Sequence, residues 1–176
     1  MNNDFEIKPL ITESELQTGI KKLADKFNQT YKDKEISLIC VLKGSVMFMV
    51  DLAKHLTMPV KMEFIRLSSY GSGTQSSGKV NAVDIALPDL NGKNVLVIED
   101  IIDTGHTAKF LIDFLNKNFE LSDLKFCVLL DKKCKRVVDI EADYSCFEVD
   151  DKYLVGYGLD IDGKYRNLPY IGYIEV

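Results

Sequence analysis

The stretch Val95-Leu96-Val97-Ile98-Glu99-Asp100-Ile101-Ile102-Asp103-Thr104-Gly105-His106-Thr107 passes from apolar to acidic to small and polar within thirteen residues. Its first four residues, preceded by the Asn91-Gly92 turn signal, read as a buried strand that ends in Glu99 and Asp100. Ala108, Leu111, Ile112 and Leu115 then recur at helical spacing and predict a helix over residues 107–118. Two acids and a small polar turn therefore sit at the carboxyl end of a strand, the edge where open α/β sheets bind ligands. Gly105 lets the main chain approach a ligand closely, and the free N–H groups of the helix start suit a phosphate, with Thr104 and Thr107 adding hydroxyl donors. Glu99 and Asp100 would repel that phosphate and are better placed on sugar hydroxyls or a hydrated Mg²⁺. A monophosphate on one side and a diol with a metal on the other describe a ribose 5-phosphate. The plainer alternative is that Asp103 and Thr104 cap the helix while the acids solubilise a strand end.

The flanking sequence repeats the strand–turn–helix unit. Ile36 to Leu42 reads as a strand buried on both faces, broken by Lys43-Gly44-Ser45 before a helix from Val46 to Leu56. Val60–Leu67 and Phe126–Leu130 read as further strands, and residues 13–28 as an amphipathic helix opened by the capping-box spacing of Thr12 and Glu15. This alternation predicts an α/β domain, a mainly parallel sheet flanked by helices on both faces. Ser68 to Gly78 holds five Ser and three Gly in eleven residues and no aliphatic side chain, which predicts a mobile lid over about residues 68–82. The segment from about 146 to 176 reads as short strands forming a small hood on a single domain of residues 1–176.

Composition narrows the function classes. With 176 residues, 46% hydrophobic and 28% charged, the chain can bury a full core, which excludes disorder and a disulfide scaffold. A net charge of −5 supplies no global field for nucleic acid. No apolar run exceeds five residues, far short of the ~20 that span a bilayer, and no signal-like start precedes them, so no membrane association and a cytoplasmic location are expected. Cys40, Cys127, Cys134 and Cys146 form neither a C-x-x-C pair nor a zinc pattern and are expected to be reduced thiols, mostly buried.

The string from Val95 to Thr107 closely resembles the phosphoribosyl pyrophosphate motif of type I phosphoribosyltransferases, and Glu-Asp-Ile-Ile-Asp-Thr-Gly resembles its hypoxanthine-guanine branch. The resemblance extends over roughly residues 36–176 and implies the type I phosphoribosyltransferase fold. It also implies a role for each matching residue. Leu42-Lys43-Gly44 is similar to the family's pyrophosphate loop, with a cis peptide between Leu42 and Lys43 and backbone N–H groups of Lys43 and Gly44 facing the leaving diphosphate. Ser69 and Tyr70 match the pair that closes over the reaction centre. Lys132 matches the lysine that bonds the exocyclic oxygen of a 6-oxopurine, Tyr153 the aromatic that stacks on the base, and Leu154 the residue whose main chain reads the base edge. Asp160 corresponds to a second magnesium ligand beside Glu99 and Asp100, and Arg166 to a pyrophosphate-binding arginine. His106 falls on a variable position, which leaves it a backbone role near the phosphate.

The resemblance further implies transfer of the 5-phosphoribosyl group from phosphoribosyl pyrophosphate to hypoxanthine and guanine, with Mg²⁺ as cofactor and a homodimer or homotetramer as the assembly. Asp103 would accept the purine N7 proton. Two readings from other classes compete: a non-catalytic nucleotide sensor that binds RNA, and a receiver-like module with Mg²⁺ near Glu99 and Asp100. The joint presence of Lys43, Tyr70, Asp103 and Arg166 and the acidic charge oppose the first. The second leaves the Ser/Gly segment and the carboxyl-terminal purine segment unexplained. Lys133, Lys135 and Arg136 around Lys132 read as a solvated basic face.

Overall fold

The computed structural model describes residues 6–69 and 80–175. In chain order the elements are β1 (Lys8–Ile11), α1 (Glu13–Thr30), β2 (Ile36–Leu42), α2 (Val46–Lys54), β3 (Val60–Ser69), β4 (Val80–Asp84), β5 (Asn94–Ile102), α3 (His106–Asn118), β6 (Asp123–Asp131), a 3-10 turn (Lys133–Lys135), β7 (Tyr144–Glu148), β8 (Tyr153–Val155) and β9 (Ile171–Ile174). The main sheet runs β4-β3-β2-β5-β6-β7, with five parallel strands and an antiparallel β4 at one edge. Ser69 lies opposite Val80 in the β3–β4 pair. Between them, residues 70–79 of the expected lid, Tyr70 included, fall outside the described residues.

Period-two alternation in β2 and β5 sorts the core into two layers. Leu38, Cys40, Leu96 and Ile98 pack with α1 and α2 on one face, while Ile39, Val41, Val95 and Val97 pack with α3 on the other. Both strands are therefore buried on each side, as their unbroken apolar runs require. Helix α1 starts where its sequence says: Thr12 Oγ1 accepts from the Glu15 N–H at 3.3 Å, and the Thr12 N–H donates to Glu15 Oε2 at 2.8 Å. Among the described residues no helix is long and apolar enough to cross a membrane.

A second sheet of three antiparallel strands, β1-β9-β8, forms the hood. The amino-terminal β1 belongs to it, and β7 belongs to the main sheet beside β6. Neither placement follows from periodicity, because strands of four or five residues carry no sign of their distant partners. From β2 the chain crosses to β3 on one side, and from β5 it crosses to β6 and β7 on the other, so the strand order reverses between β2 and β5. The crevice outside the carboxyl ends of these two strands is the topological switch point.

The capping box and the buried sheet should separate by magnitude in urea denaturation. Leu96→Ala, at a fully buried position of β5, is expected to cost about 2–5 kcal/mol, and Thr12→Ala about 1 kcal/mol.

Candidate active site

Two glycines bring three segments together at the switch point. Gly44 follows β2, and a β-carbon built on it would lie 1.5 Å from Asp100 Oδ2. A β-carbon on Gly158 would lie 1.9 Å from the carbonyl oxygen of Gly44. A side chain at Gly158 would strike main chain and one at Gly44 would displace the Asp100 carboxylate, so the main chain of the loop after β2 packs directly between the β5 acids and the hood. The Leu42–Lys43 peptide is cis, as the resemblance implies. Buried Ser45 holds the loop, its hydroxyl donating to the Val41 carbonyl at 2.6 Å and lying 3.1 Å from Cys40 Sγ. Arg166 reaches the same place from the hood: Nη1 donates to the Gly158 carbonyl, and Nη2 meets Asp160 Oδ1 at 2.5 Å.

The turn after β5 leaves the start of α3 without a side-chain cap. Gly105 is the residue preceding α3, with φ of +89°. Asp103 and Thr104 thus do not act as the cap that the plainer alternative assigned them, and His106 opens the helix. Asp103, Thr104, Gly105 and Thr107 line a small cavity of about 80 Å³ together with Glu99. Glu99 Oε2 is buried and has no hydrogen-bond partner. Desolvation, then the charge of neighbouring Asp100, holds the Glu99 carboxyl well above the usual carboxylate range. Desolvation also raises Asp100, opposed by the Ile101 N–H, which donates to Oδ1 at 2.8 Å, and by the Arg166 charge.

A larger cavity of about 760 Å³ opens beneath the hood, lined by Asp103, Lys132, Tyr153, Leu154 and Asp160 among others. Lys132, at the end of β6, is 7% exposed, and its ammonium donates to the Lys152 carbonyl at 2.9 Å with Asp151 Oδ1 3.8 Å away. Tyr153 is 45% exposed while Leu154 and Val155 beside it are buried, so its ring borders the cavity rather than the core. Asp103 lines both cavities, as does Ile101.

Asp160 is engaged by Arg166 and by the Gly163 N–H at 2.7 Å, because a tight turn places all three together. Among the described residues, no three acidic, thiol or imidazole side chains form a metal cage. The oxygen-only pair of Glu99 and Asp100, with an orphaned buried oxygen, nevertheless suits a hard cation such as Mg²⁺, which takes one or two carboxylates and completes its shell with water and phosphate. Lys43 is exposed beside buried Gly44. Cys134 is exposed, unlike buried Cys40 and Cys127.

The basic run after Lys132 divides in two. Lys133 and Lys135 are surface residues paired with Glu148 and Asp151, as a solvated face would have them. Arg136 instead turns inward onto Asp131, Asp103 and Ile140. Sequence reasoning missed it, since one arginine in a basic run carries no mark of burial. It also missed Tyr157, whose hydroxyl donates to Asp51 of α2 at 2.6 Å and ties the hood to the main domain.

Comparison with known proteins identifies the family. A model of the phosphoribosyl transferase domain matches residues 12–162. The hypoxanthine-guanine phosphoribosyltransferase of Streptococcus thermophilus is 45% identical over 96% of this chain and 93% of its own length, and that of Streptococcus pneumoniae is 44% identical over 99% and 96%. The crystal structure of a hypoxanthine-guanine phosphoribosyltransferase from Bacillus anthracis, with a HEPES molecule in its active site, superimposes with a TM-score of 0.90 at 44% identity, covering 97% of this chain and all of that one. With a matching domain model over most of its length and relatives of this identity over nearly all of it, the chain belongs to the type I phosphoribosyltransferase family, in its hypoxanthine-guanine branch.

Proposed function

We propose that the protein is a purine-salvage enzyme that transfers the 5-phosphoribosyl group from phosphoribosyl pyrophosphate to hypoxanthine and guanine, giving the nucleoside monophosphate and pyrophosphate. One observation carries the reading: Asp103 lines both the cavity of the phosphate-type turn and the cavity bordered by Tyr153 and Lys132. A sugar phosphate in the first and a flat base in the second would meet at that residue.

The chain's own groups then divide the work. The N–H groups opening α3, with Thr104 and Thr107, hold the 5′-phosphate, and the Lys43-Gly44 main chain and Arg166 hold the diphosphate. Tyr153 stacks on the purine, the Lys132 ammonium keeps donors free for its exocyclic oxygen after serving the Lys152 carbonyl, and the Leu154 main chain reads the base edge. Asp103 accepts the N7 proton as the base attacks. Glu99 and Asp100 would hold Mg²⁺, with Asp160 serving a second ion; bound metal neutralises charge that develops on the leaving diphosphate. Water must be excluded from the oxocarbenium-like centre, the task that the sequence gives to Ser69, Tyr70 and the segment around them. The four free thiols support a cytoplasmic location. Exposed Met47 and Val50 on α2 and Met62 and Phe64 on β3 support a homo-oligomer.

A spectrophotometric assay with hypoxanthine, phosphoribosyl pyrophosphate and Mg²⁺ is expected to show catalytic nucleotide formation; its absence in folded protein refutes the reading. Asp103→Asn is expected to lower kcat about 10²-fold or more with a smaller change in donor affinity, and full turnover would assign the proton to another group. Without metal, Glu99 favours the fold only when protonated, a contribution complete below its unfolded pKa of about 4.3 and lost as pH rises through its higher folded value. Metal-free Glu99→Gln is therefore expected to melt above the wild type at pH 8, the gap closing towards pH 4, while binding Mg²⁺ with phosphoribosyl pyrophosphate more weakly. Equal melting at pH 8 or undiminished binding contradicts the assignment.

A further inference from the structure

We infer that Arg136 is a positioning residue that sets the main chain of Asp103 against the strand end carrying Lys132, an inference that rests on the function proposed above. Its side chain is 10% exposed, although Lys133, Cys134, Lys135 and Val137 around it are exposed. The guanidinium serves acceptors from three separate segments. Nη2 meets Asp131 Oδ1 at 2.6 Å, Nε donates to the Asp103 carbonyl at 3.0 Å, and Nη1 donates to the Ile140 carbonyl at 2.6 Å. Only a planar fork with several fixed N–H directions satisfies three such acceptors, and a lysine ammonium on its flexible stem does not.

The neighbouring main chain reinforces the brace. The N–H groups of Val137 and Val138 both donate to the Thr104 carbonyl, at 3.1 and 3.3 Å. A β-carbon on Gly105 would lie 2.9 Å from Arg136 Cδ and 2.7 Å from Val138 Cγ2, so the phosphate-type turn lies flat on this segment. On the other side, Asp131 is the last residue of β6, 3% exposed, and immediately precedes Lys132. The Lys132 N–H in turn donates to the Ile102 carbonyl at 3.0 Å. Arg136 therefore links the residue that would take the N7 proton to the residue that would bind the exocyclic oxygen. Those two groups act on one rigid purine, so their separation must hold to a fraction of an ångström, and a displacement of ~1 Å costs about 10²-fold in rate.

The test compares full-length Arg136→Met, Arg136→Lys and the double variant Asp131→Leu/Arg136→Met by steady-state kinetics with hypoxanthine and by thermal melting. Arg136→Met alone leaves Asp131 buried and unpaired and is expected to lose stability as well as rate. The double variant removes both charges and, where the pair serves the fold alone, recovers melting temperature and kcat together. Positioning predicts recovery of melting temperature with kcat still about 10²-fold low and KM for phosphoribosyl pyrophosphate changed less than kcat. A double variant with wild-type kcat overturns the inference. Should the double variant not fold, Arg136→Lys decides, since it keeps a charge for Asp131: kcat at least tenfold low supports positioning, and wild-type kcat overturns it. Absence of nucleotide formation by the wild type would instead refute the proposed function, so the two failures are distinguishable.

Discussion

Close approach of main chain to carboxylate at Gly44 is the constraint on which the site depends. Asp100 Oδ2 occupies the place of a missing β-carbon on Gly44, and the Gly44 carbonyl does the same at Gly158. These contacts join the loop after β2, the end of β5 and the hood into one cluster at the point where strand order reverses. Arg166 and Asp160 enter the cluster through Gly158, and Glu99 enters it beside Asp100. A larger residue at Gly158 would push the hood off the Gly44 main chain, and one at Gly44 would displace the Asp100 carboxylate.

An acidic protein that handles a polyanion must divide its electrostatics locally. With a net charge of −5 it offers no general attraction, so in the proposed function each anionic part of the ligand would meet its own donors: helix N–H groups at the phosphate, main chain and Arg166 at the diphosphate. Glu99 and Asp100 are adjacent in β5, and desolvation raises both carboxyls. Leaving Glu99 Oε2 buried without a partner is costly in a protein that binds nothing, and it is the kind of local conflict expected at a functional site. A divalent cation would relieve such a conflict.

The hood shows how a small sheet completes a site that the main domain cannot build alone. It has three short strands, and the β8 strand carries Tyr153 over the cavity while Lys132 comes from beneath, at the end of β6. Hydrogen bonds from Lys132 to Lys152 and from Tyr157 to Asp51 fasten the two units together. The cavity beneath the hood is thus a product of nonlocal pairing, as is the set of hydrogen bonds from Arg136 to Asp131 and Asp103.

Local pattern by itself determined the strands from Ile36 and Val95, the helices that follow them, the capping box at Thr12 and the acidic–polar turn from Glu99 to Thr107. Period, turn chemistry and motif spacing are properties of neighbours in the chain, and they are legible without coordinates. Tertiary structure alone decided the antiparallel β4, the recruitment of β1 into the hood, the pairing of Asp160 with Arg166 and the inward course of Arg136 within a basic run. The strand placements and the course of Arg136 depend on residues far apart in sequence meeting across a buried surface, and the Asp160–Arg166 pair on the course of a turn; in each, burial and partner geometry, rather than residue type, determine what a side chain does.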